Sequence, residues 1–168
     1  MKGLAQICIL ALISFGMVSA TESTCPIDMA IPLHRAFNKE HSDHFYTTKA
    51  TVASGWKLEG DAARIYDFQA PDTVPFYCMY SPTAVDHFYT TDEAQRNNAI
   101  NNLGFNDEGI AGYIYPSTSQ LCDSVPFYRM YQPTTHDHFY TTNAAEKDNA
   151  IMNGGYQEEH IAGYVLPI

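Results

Sequence analysis

Positively charged residues are scarce in this chain of 168 residues: lysine and arginine together number 9, against 19 aspartates and glutamates, for a formal net charge of −10. A nucleic-acid partner is not expected, because phosphate binding needs a basic patch that so few cations cannot form. Tryptophan occurs once and leucine is infrequent, whereas there are 12 tyrosines and 9 phenylalanines. This composition argues against a disordered chain, a coiled coil or a helical bundle, and the length fits a single domain.

Long hydrophobic runs are absent after residue 20. Residues 1–20 combine Lys2, the apolar run Ile7–Ile13 and the small residues Val18–Ala20, which is the pattern of a secretory signal peptide and its cleavage site. The apolar run is shorter than the ~20 residues that span a bilayer. We therefore expect a secreted, acidic, extracellular protein with no membrane-inserted segment, in which residues 21–31 form an N-terminal arm.

The most informative feature is an internal repeat. The hexapeptide Asp-His-Phe-Tyr-Thr-Thr begins at Asp43, Asp86 and Asp137, and residues 75–116 align with 126–167 without gaps at 25 identities in 42 positions. One unit of this size cannot bury its own apolar face, so three are expected to pack as a single domain. That domain spans 32–168 and divides into repeat one (about 32–71), repeat two (about 75–116) and repeat three (about 126–168).

Each repeat has a similar order of predicted elements. Alternating side chains from Phe127 to Tyr131, a Pro-Thr turn and the hexapeptide indicate a β-hairpin. Asp92 precedes Gln95 by three residues, which is typical of a capped helix start. The closing Ile-Ala-Gly-Tyr segment indicates a third strand whose small residues allow close packing. We therefore predict a mainly β fold with one short helix per repeat, closed with pseudo-threefold symmetry like a trefoil or a small propeller.

An odd number of cysteines remains once the predicted signal peptide is removed, because Cys25, Cys78 and Cys122 follow it. In an oxidising compartment one pair and one spare thiol are expected. Cys25 and Cys122 both precede the proline that opens a repeat, and we hypothesise that they form a disulfide between the arm and the linker after repeat two. Cys78 replaces an arginine of the other repeats and could join two chains as a disulfide-linked dimer. The sequence has no Asn-x-Ser/Thr site for an N-linked glycan.

The sharpest polar feature is the Asp-His pair of each hairpin, followed two residues later by tyrosine. A carboxylate that accepts sugar hydroxyl protons beside an aromatic face is the usual composition of a lectin pocket. Strand alternation predicts that His44 and Tyr46 share the face of the site and that Phe45 lies in the core. The alternative is that the aspartate is a turn residue and the aromatics are packing. The candidate ligand-binding residues are Asp43, His44, Tyr46, Asp86, His87, Tyr89, Asp137, His138 and Tyr140.

Metal and catalytic signals are weak. The additional histidines near the Asp-His pairs, His41 and His136, do not recur in all three repeats, so no metal site is predicted. The acidic segments 106–108 and 157–159 could attract Ca²⁺ weakly, and no other cofactor is expected. No Gly-x-Ser-x-Gly or His-Glu-x-x-His motif occurs. Carboxylates that recur symmetrically do not offer the two different environments that glycoside hydrolysis needs, so an enzyme is not predicted.

A family resemblance rests on three strings: Val-Pro-Phe-Tyr-Arg-Met-Tyr at 125–131, the hexapeptide, and Ile-Ala-Gly-Tyr-Val at 161–165. They resemble a repeat family of unknown function, found in secreted bacterial, fungal and some animal proteins, alone or appended to extracellular hydrolases. The resemblance covers essentially all of 32–168 and implies an accessory or glycan-binding role, with no established activity. Repeat one departs from it, because His34 replaces the second aromatic residue and Ala62–Arg64 replace Ala-Gly-Tyr.

These observations predict a secreted, lectin-like carbohydrate-binding domain with up to three related sites. Its expected partners are extracellular glycans or matrix components. Linked weak sites of one kind add avidity, which suits binding better than catalysis. The alternative is a structural protein of an extracellular matrix, mucus or a biomineral, in which net acidity and the spare thiol serve cohesion. A secreted hydrolase is the least favoured of the three.

Overall fold

The computed structural model describes residues 25–168, so the predicted signal peptide at 1–20 and the first residues of the arm lie outside it. Within the described range the fold is mainly β, as predicted, with three three-stranded antiparallel sheets and two α-helices. The elements are β1 Ile31–Asn38, β2 Asp43–Thr47, β3 Lys57–Ile65, β4 Val74–Ser81, β5 Asp86–Thr90, α1 Glu93–Asn102, β6 Asn106–Ile114, β7 Val125–Gln132, β8 Asp137–Thr141, α2 Ala144–Gly154 and β9 Gln157–Val165. No helix among residues 25–168 has the length and hydrophobicity needed to cross a bilayer.

The three sheets share one design. In each, the first strand of a repeat lies in the middle, paired with the hexapeptide strand on one side and the closing strand on the other: β2-β1-β3, β5-β4-β6 and β8-β7-β9. The register of the hairpin is also the same in all three sheets. The hexapeptide tyrosine pairs with an equivalent residue of the central strand in each case: Tyr46 with Arg35, Tyr89 with Cys78 and Tyr140 with Arg129. The predicted hairpin and third strand are therefore confirmed.

The two helices begin where their caps predict. The Asp92 carboxylate accepts hydrogen bonds from the backbone of Ala94 and Gln95 at 2.8 and 3.2 Å, and Asn143 caps α2 in the same way. The prediction of a helix in every repeat is wrong for repeat one, which has none among its described residues. Only six residues separate Thr48 from Gly55, against twelve at the equivalent place in repeat two, and ten helical residues do not fit in that space.

The core lies where the three sheets meet. Leu33, Phe76 and Phe127 occupy equivalent positions on the central strands and are fully buried. The predicted faces of β2 are reversed: Tyr46 is 1% exposed and belongs to the core, whereas Phe45 is only partly buried. Burial of the tyrosine is tolerated because its hydroxyl finds backbone partners in the neighbouring sheets.

Backbone hydrogen bonds connect each sheet to the next. Tyr66 exchanges two bonds with Tyr113, at 3.1 and 2.8 Å, and Tyr115 exchanges two with Tyr164, both at 2.9 Å. The third link runs from repeat three back to repeat one, where Arg64 pairs with Leu166 at 2.9 and 3.0 Å. The sheets are thus joined in a ring of backbone hydrogen bonds.

The Cys25–Cys122 disulfide is present, as hypothesised, with Cα atoms 5.5 Å apart. It ties the arm to the linker between repeats two and three. The arm is held further by Arg64, whose Nη2 donates to the carbonyl oxygens of Ile27 and Ala30 at 2.8 and 3.0 Å. Cys78 is a free, buried thiol, 6% exposed, and burial raises its pKa far above the ordinary value. Both properties argue against an intermolecular disulfide through Cys78. The predicted disulfide-linked dimer itself is not tested by the structure.

Candidate functional site

The aspartates of the three hexapeptides meet at the centre of the molecule. Each opens a strand directly after a residue in the left-handed backbone region, so the chain turns and directs the carboxylate inward. Carboxylate oxygens of Asp43, Asp86 and Asp137 lie within 4.8 Å of one another, and all three residues are buried. Like charges this close are unfavourable unless each carboxylate has donors of its own.

Those donors come from the histidine of the next repeat. Asp43 accepts from the backbone N–H and the Nδ1 of His87 at 3.0 and 2.7 Å. The two other junctions repeat the arrangement, with His138 on Asp86 at 2.9 and 2.7 Å and His44 on Asp137 at 2.8 and 2.6 Å. Because Nδ1 donates to the carboxylate, each imidazole presents Nε2 away from the centre.

Burial sets the electrostatics of this hydrogen-bonded ring. At Asp43 burial raises the pKa, the bonds from His87 lower it, and the nearby Asp86 raises it again, so that the pKa lies above its ordinary value. At Tyr156, whose hydroxyl donates to Asp137, burial and the adjacent carboxylate raise the pKa. The histidine contacts therefore offset part of the cost of burying Asp43.

The three carboxylates are chemically able to hold a cation. Each, however, already accepts two bonds from a histidine, and we assign no ion to them. The acidic segments considered for Ca²⁺ lie at the start of β6 and β9, where Asp107 pairs with Arg96, and Glu158 with Lys147 at 3.3 Å. Weak Ca²⁺ binding remains a prediction.

The hexapeptide tyrosines form a second ring, deeper in the core. Tyr46 donates its hydroxyl to the carbonyl of Tyr140 at 2.7 Å and accepts from the backbone N–H of Tyr140 at the same distance. Tyr140 makes this pair of contacts with Tyr89, at 2.8 Å each, and Tyr89 makes it with Tyr46, at 3.0 and 2.9 Å. Burial raises the pKa of each hydroxyl well above its ordinary value. These hydroxyls therefore act as neutral cross-links between repeats.

Clefts between consecutive repeats make part of the aspartate–histidine ring accessible from the surface of the molecule. The third cleft, between repeats three and one, is a cavity of about 370 Å³. Repeat three supplies two aromatic rings and one side of α2, and repeat one supplies an arginine, a histidine and a glutamate. The lining residues are Phe139, Glu146, Asn149, Ala150, Asn153, Gly154 and Tyr156 from repeat three, with Arg35, His44 and Glu59 from repeat one.

The second cleft, between repeats two and three, is built from equivalent positions. Its cavity measures about 390 Å³. The lining residues are Phe88, Gln95, Asn98, Ala99, Leu103 and Phe105 from repeat two, with Arg129, Tyr131, His138 and Glu159 from repeat three. On both helices one asparagine accepts from another four residues later, Asn98 from Asn102 and Asn149 from Asn153, at 2.9 and 2.8 Å, and the first of each pair lines its cleft. These amides are exposed and keep further hydrogen-bonding capacity.

The first cleft, between repeats one and two, is smaller, and no helix lines it because the described part of repeat one has no α-helix. Phe45, Trp56 and His87 line an apolar cavity of about 220 Å³, together with Val52 and Ala53. The indole lies 5.5 Å from Phe45 and 5.7 Å from His87 between ring centroids. All three clefts thus share an aromatic pair from one repeat and a histidine from the next.

The predicted site residues divide into two groups. The aspartates and tyrosines lie inside the framework, where their polar atoms bond neighbouring repeats, whereas the histidines keep 9–12% of their side-chain surface exposed and line the clefts. The role of the nine residues in ligand binding remains a prediction. Sequence reasoning missed the glutamates, the helix asparagines and the second aromatic of each cleft. Aligning the repeats could have found them, since Glu59, Glu108 and Glu159 recur at one position.

Comparison with known proteins adds a family but no activity. A search of curated proteins found no match. No solved structure matched either. One family model, described as a domain of unknown function (DUF5648), matches residues 32–166, which include the central ring and all three clefts. The chain belongs to this family.

Proposed function

We propose that the protein is a secreted, non-catalytic carbohydrate-binding domain whose sites are the clefts between its repeats. The observation that carries the proposal is the recurrence of one set of groups in the second and third clefts: an aromatic pair, an exposed helix asparagine and an exposed glutamate beside a histidine. Aromatic faces pack on the apolar side of a sugar ring, and amides with carboxylates bind its hydroxyls. The first cleft is a smaller, more apolar third site.

Secretion forms part of the proposal. It rests on the sequence of residues 1–20 and is supported by the Cys25–Cys122 disulfide, a bond that persists mainly outside the cytosol. We also propose that the three repeats close with pseudo-threefold symmetry, like a small propeller. The sheets of like register and the links that return from repeat three to repeat one support this closure.

Binding without chemistry fits the placement of the acidic groups. Glycoside hydrolysis needs an acid and a base on opposite sides of one bond, in different environments. Glu59 and Glu159 lie instead in separate clefts, in equivalent environments beside an arginine and a histidine. Two similar sites on one rigid domain would bind a repeating polymer more tightly than either site alone.

A glycan array followed by calorimetric titration tests the proposal. In the second and third clefts, Asn98→Ala and Asn149→Ala each remove one exposed amide. We expect each substitution to weaken binding in its own cleft about tenfold, which corresponds to one good hydrogen bond. The double variant should bind most weakly of all.

Asn101→Ala is the matched control, because Asn101 is an exposed residue of the same helix outside the cleft lining. It should bind as the unsubstituted protein does. An array without any bound glycan, or equal binding by the double variant and the control, would reject the carbohydrate proposal. Insoluble self-association without glycan binding would instead favour the structural matrix protein.

A further inference from the structure

The second and third clefts show how this fold binds a guanidinium group. In the third cleft the Nε of Arg35 donates to Glu59 at 2.9 Å, and its guanidinium carbon lies 4.9 Å from the ring centroid of Phe139. In the second cleft Arg129 makes the same two contacts, with Glu159 at 2.7 Å and with Phe88 at 4.8 Å. A carboxylate and an aromatic face from adjacent repeats thus hold one cation.

The first cleft keeps both binding groups but not the arginine. Phe45 and Glu108 occupy the positions of the aromatic and the glutamate, and Cys78 stands at the arginine position of the central strand. Glu108 lies 3.4 Å from the Cys78 sulfur and 3.5 Å from Nε2 of His87. Among residues 25–168 neither an arginine nor a lysine forms an ion pair with Glu108 or stacks on Phe45.

A cavity of about 200 Å³ lies at this place, separate from the apolar cavity beside Trp56. It is lined by Phe45, Tyr46, Thr47, Thr48, Lys49, Cys78, Glu108, Ile110 and Ala111. The side chain of Glu108 is 39% exposed, so the carboxylate is open to a ligand. In the second and third clefts a helix residue contacts the arginine: Gln95 of α1 contacts Arg129, and Glu146 of α2 contacts Arg35. The described part of repeat one has no helix to supply such a residue, so this cavity is open to the surface.

We propose that this cavity beside Glu108 and Phe45 is a binding site for a guanidinium group supplied from outside the chain. Glu108 would accept its N–H donors and Phe45 would stack on its plane, as the equivalent residues do with the chain's own arginines. Guanidinium suits the site better than ammonium, because its planar fork matches a carboxylate and an aromatic face at once. This cavity differs from those proposed to bind glycans, although Phe45 also lines the one beside Trp56, and the guanidinium proposal does not rest on glycan binding.

The other charged groups around the cavity are few. His87 is hydrogen-bonded to Asp43 through Nδ1, so its Nε2 faces Glu108. Lys49 is exposed at the rim, and no ion pair within 4 Å joins it to another described residue. Its positive charge opposes a cationic ligand, so Lys49→Ala should tighten binding.

Calorimetric titration with ethylguanidinium tests the proposal, with ethylurea as the neutral compound of similar shape. We expect one equivalent of ethylguanidinium to bind, with a Kd of roughly millimolar strength as for a single small group, and no binding of ethylurea. N-acetyl-arginine methylamide separates the sources of the group. If this compound binds, the group is an arginine side chain of a peptide or protein. If ethylguanidinium binds and this compound does not, the group belongs to a free small guanidine.

Variants locate the site. Cys78→Arg should abolish ethylguanidinium binding, because the chain then supplies its own guanidinium to Glu108 and Phe45. Glu108→Gln, which keeps the side-chain shape, should weaken binding about tenfold. Glu40→Gln, the matched control, removes an exposed carboxylate outside the cavity lining and should leave binding unchanged. If Cys78→Arg does not fold, Glu108→Gln against Glu40→Gln decides. Absence of binding, equal binding of ethylurea, or unchanged binding by Glu108→Gln would overturn the proposal.

Discussion

At the scale of single residues, the residue before each central aspartate adopts an unfavourable backbone conformation in the hairpin turn. Ser42, Val85 and His136 precede the three aspartates with φ of 56°, 56° and 60°. A β-branched residue is especially unfavourable in the left-handed region. Val85 is held there because its N–H donates to the carbonyl of Ser81 at 2.7 Å and the turn must deliver Asp86 to the centre.

Val85→Gly should therefore stabilise the protein. Glycine adopts this conformation without a Cβ clash, and we expect the free energy of unfolding to rise by about 1 kcal/mol. Urea denaturation measures the change. Ala84→Gly is the control in the same turn, at a residue outside the left-handed region, and should lower stability by about 0.5–1 kcal/mol. A loss of stability in Val85→Gly would contradict the strain argument.

At the scale of elements, two glycines let the closing strands approach the neighbouring repeat. A Cβ on Gly163 of β9 would lie 2.7 Å from the Tyr115 carbonyl oxygen and 2.6 Å from Ile114 Cδ1, and Gly112 of β6 is similarly confined. The equivalent residue of repeat one is Ala63, which is fully buried. The Arg64–Leu166 link accommodates the Cβ of Ala63, whereas the Tyr115–Tyr164 link as it stands leaves no room for a Cβ at position 163.

Gly163→Ala should destabilise the protein by about 1–3 kcal/mol, because the carbonyl of Tyr115 cannot move without breaking the backbone link. Thermal unfolding measures the loss. Ala63→Gly at the equivalent place removes a methyl group without creating a clash and should cost about 0.5–1 kcal/mol. Equal stability of Gly163→Ala and the unsubstituted protein would contradict the expected clash with the Tyr115 carbonyl.

The elements were largely predictable from the sequence, because their signals are local. Alternating side chains, the Asp92 cap and the small residues of the last strand each act within a few positions. Repeat one shows the limit: its copy of the hexapeptide implies the same unit, but a deletion of six residues removes the helix. The exchange of faces between Phe45 and Tyr46 was not predictable, because it depends on backbone partners that Tyr46 finds in two other repeats.

At the scale of the whole molecule, repeat three is joined back to repeat one by side chains as well as by backbone. Both Nη atoms of Arg35 donate to Glu146, at 3.1 and 2.9 Å. Burial alone would raise the pKa of Glu146, but hydrogen bonds from Arg35 and Thr141 outweigh it and hold the pKa below the ordinary value of 4.5. A group whose folded pKa is lowered stabilises the fold above its unfolded pKa.

The contribution of Glu146 should therefore be complete above pH 4.5 and be lost as the pH falls through the lowered value. Glu146→Gln, which copies the Gln95 of repeat two, removes this titration. The stability difference between the two proteins should shrink in acid when urea denaturation is compared at pH about 7 and about 3. Glu93→Gln, which removes an exposed carboxylate of α1, is the control for the loss of one negative charge. A constant difference for Glu146→Gln would contradict the assigned role.

The disulfide closes a second long connection, since 97 positions separate Cys25 from Cys122. A cross-link over such a loop constrains the unfolded chain, and its removal should cost about 2–5 kcal/mol. Thermal unfolding with and without reductant measures this loss. The Cys25→Ser, Cys122→Ser double variant should match the reduced protein and be insensitive to reductant. A melting temperature unaffected by reductant in the unsubstituted protein would contradict the prediction.

The candidate site was less predictable than the fold. The Asp-His pairs stand out in the sequence, yet neither their burial nor their pairing with the next repeat follows from one repeat alone. The clefts combine residues far apart in sequence, such as Arg35 with Glu146. Only a known arrangement of the repeats brings such residues together, and the sequence does not specify that arrangement locally.

The direction of the aspartate–histidine bonds limits how such a chain can grow. Every repeat accepts from the repeat after it, and Asp137 of the last accepts from His44 of the first. Contacts of this head-to-tail kind have no self-complementary partner and end only when they close. An open solenoid can gain a unit by duplication at little cost. Here a fourth copy would have to enter the ring between two paired repeats, such as those that hold Asp137 and His44, so the ring would have to open and close again around four units, and a unit could not be added without changing existing contacts.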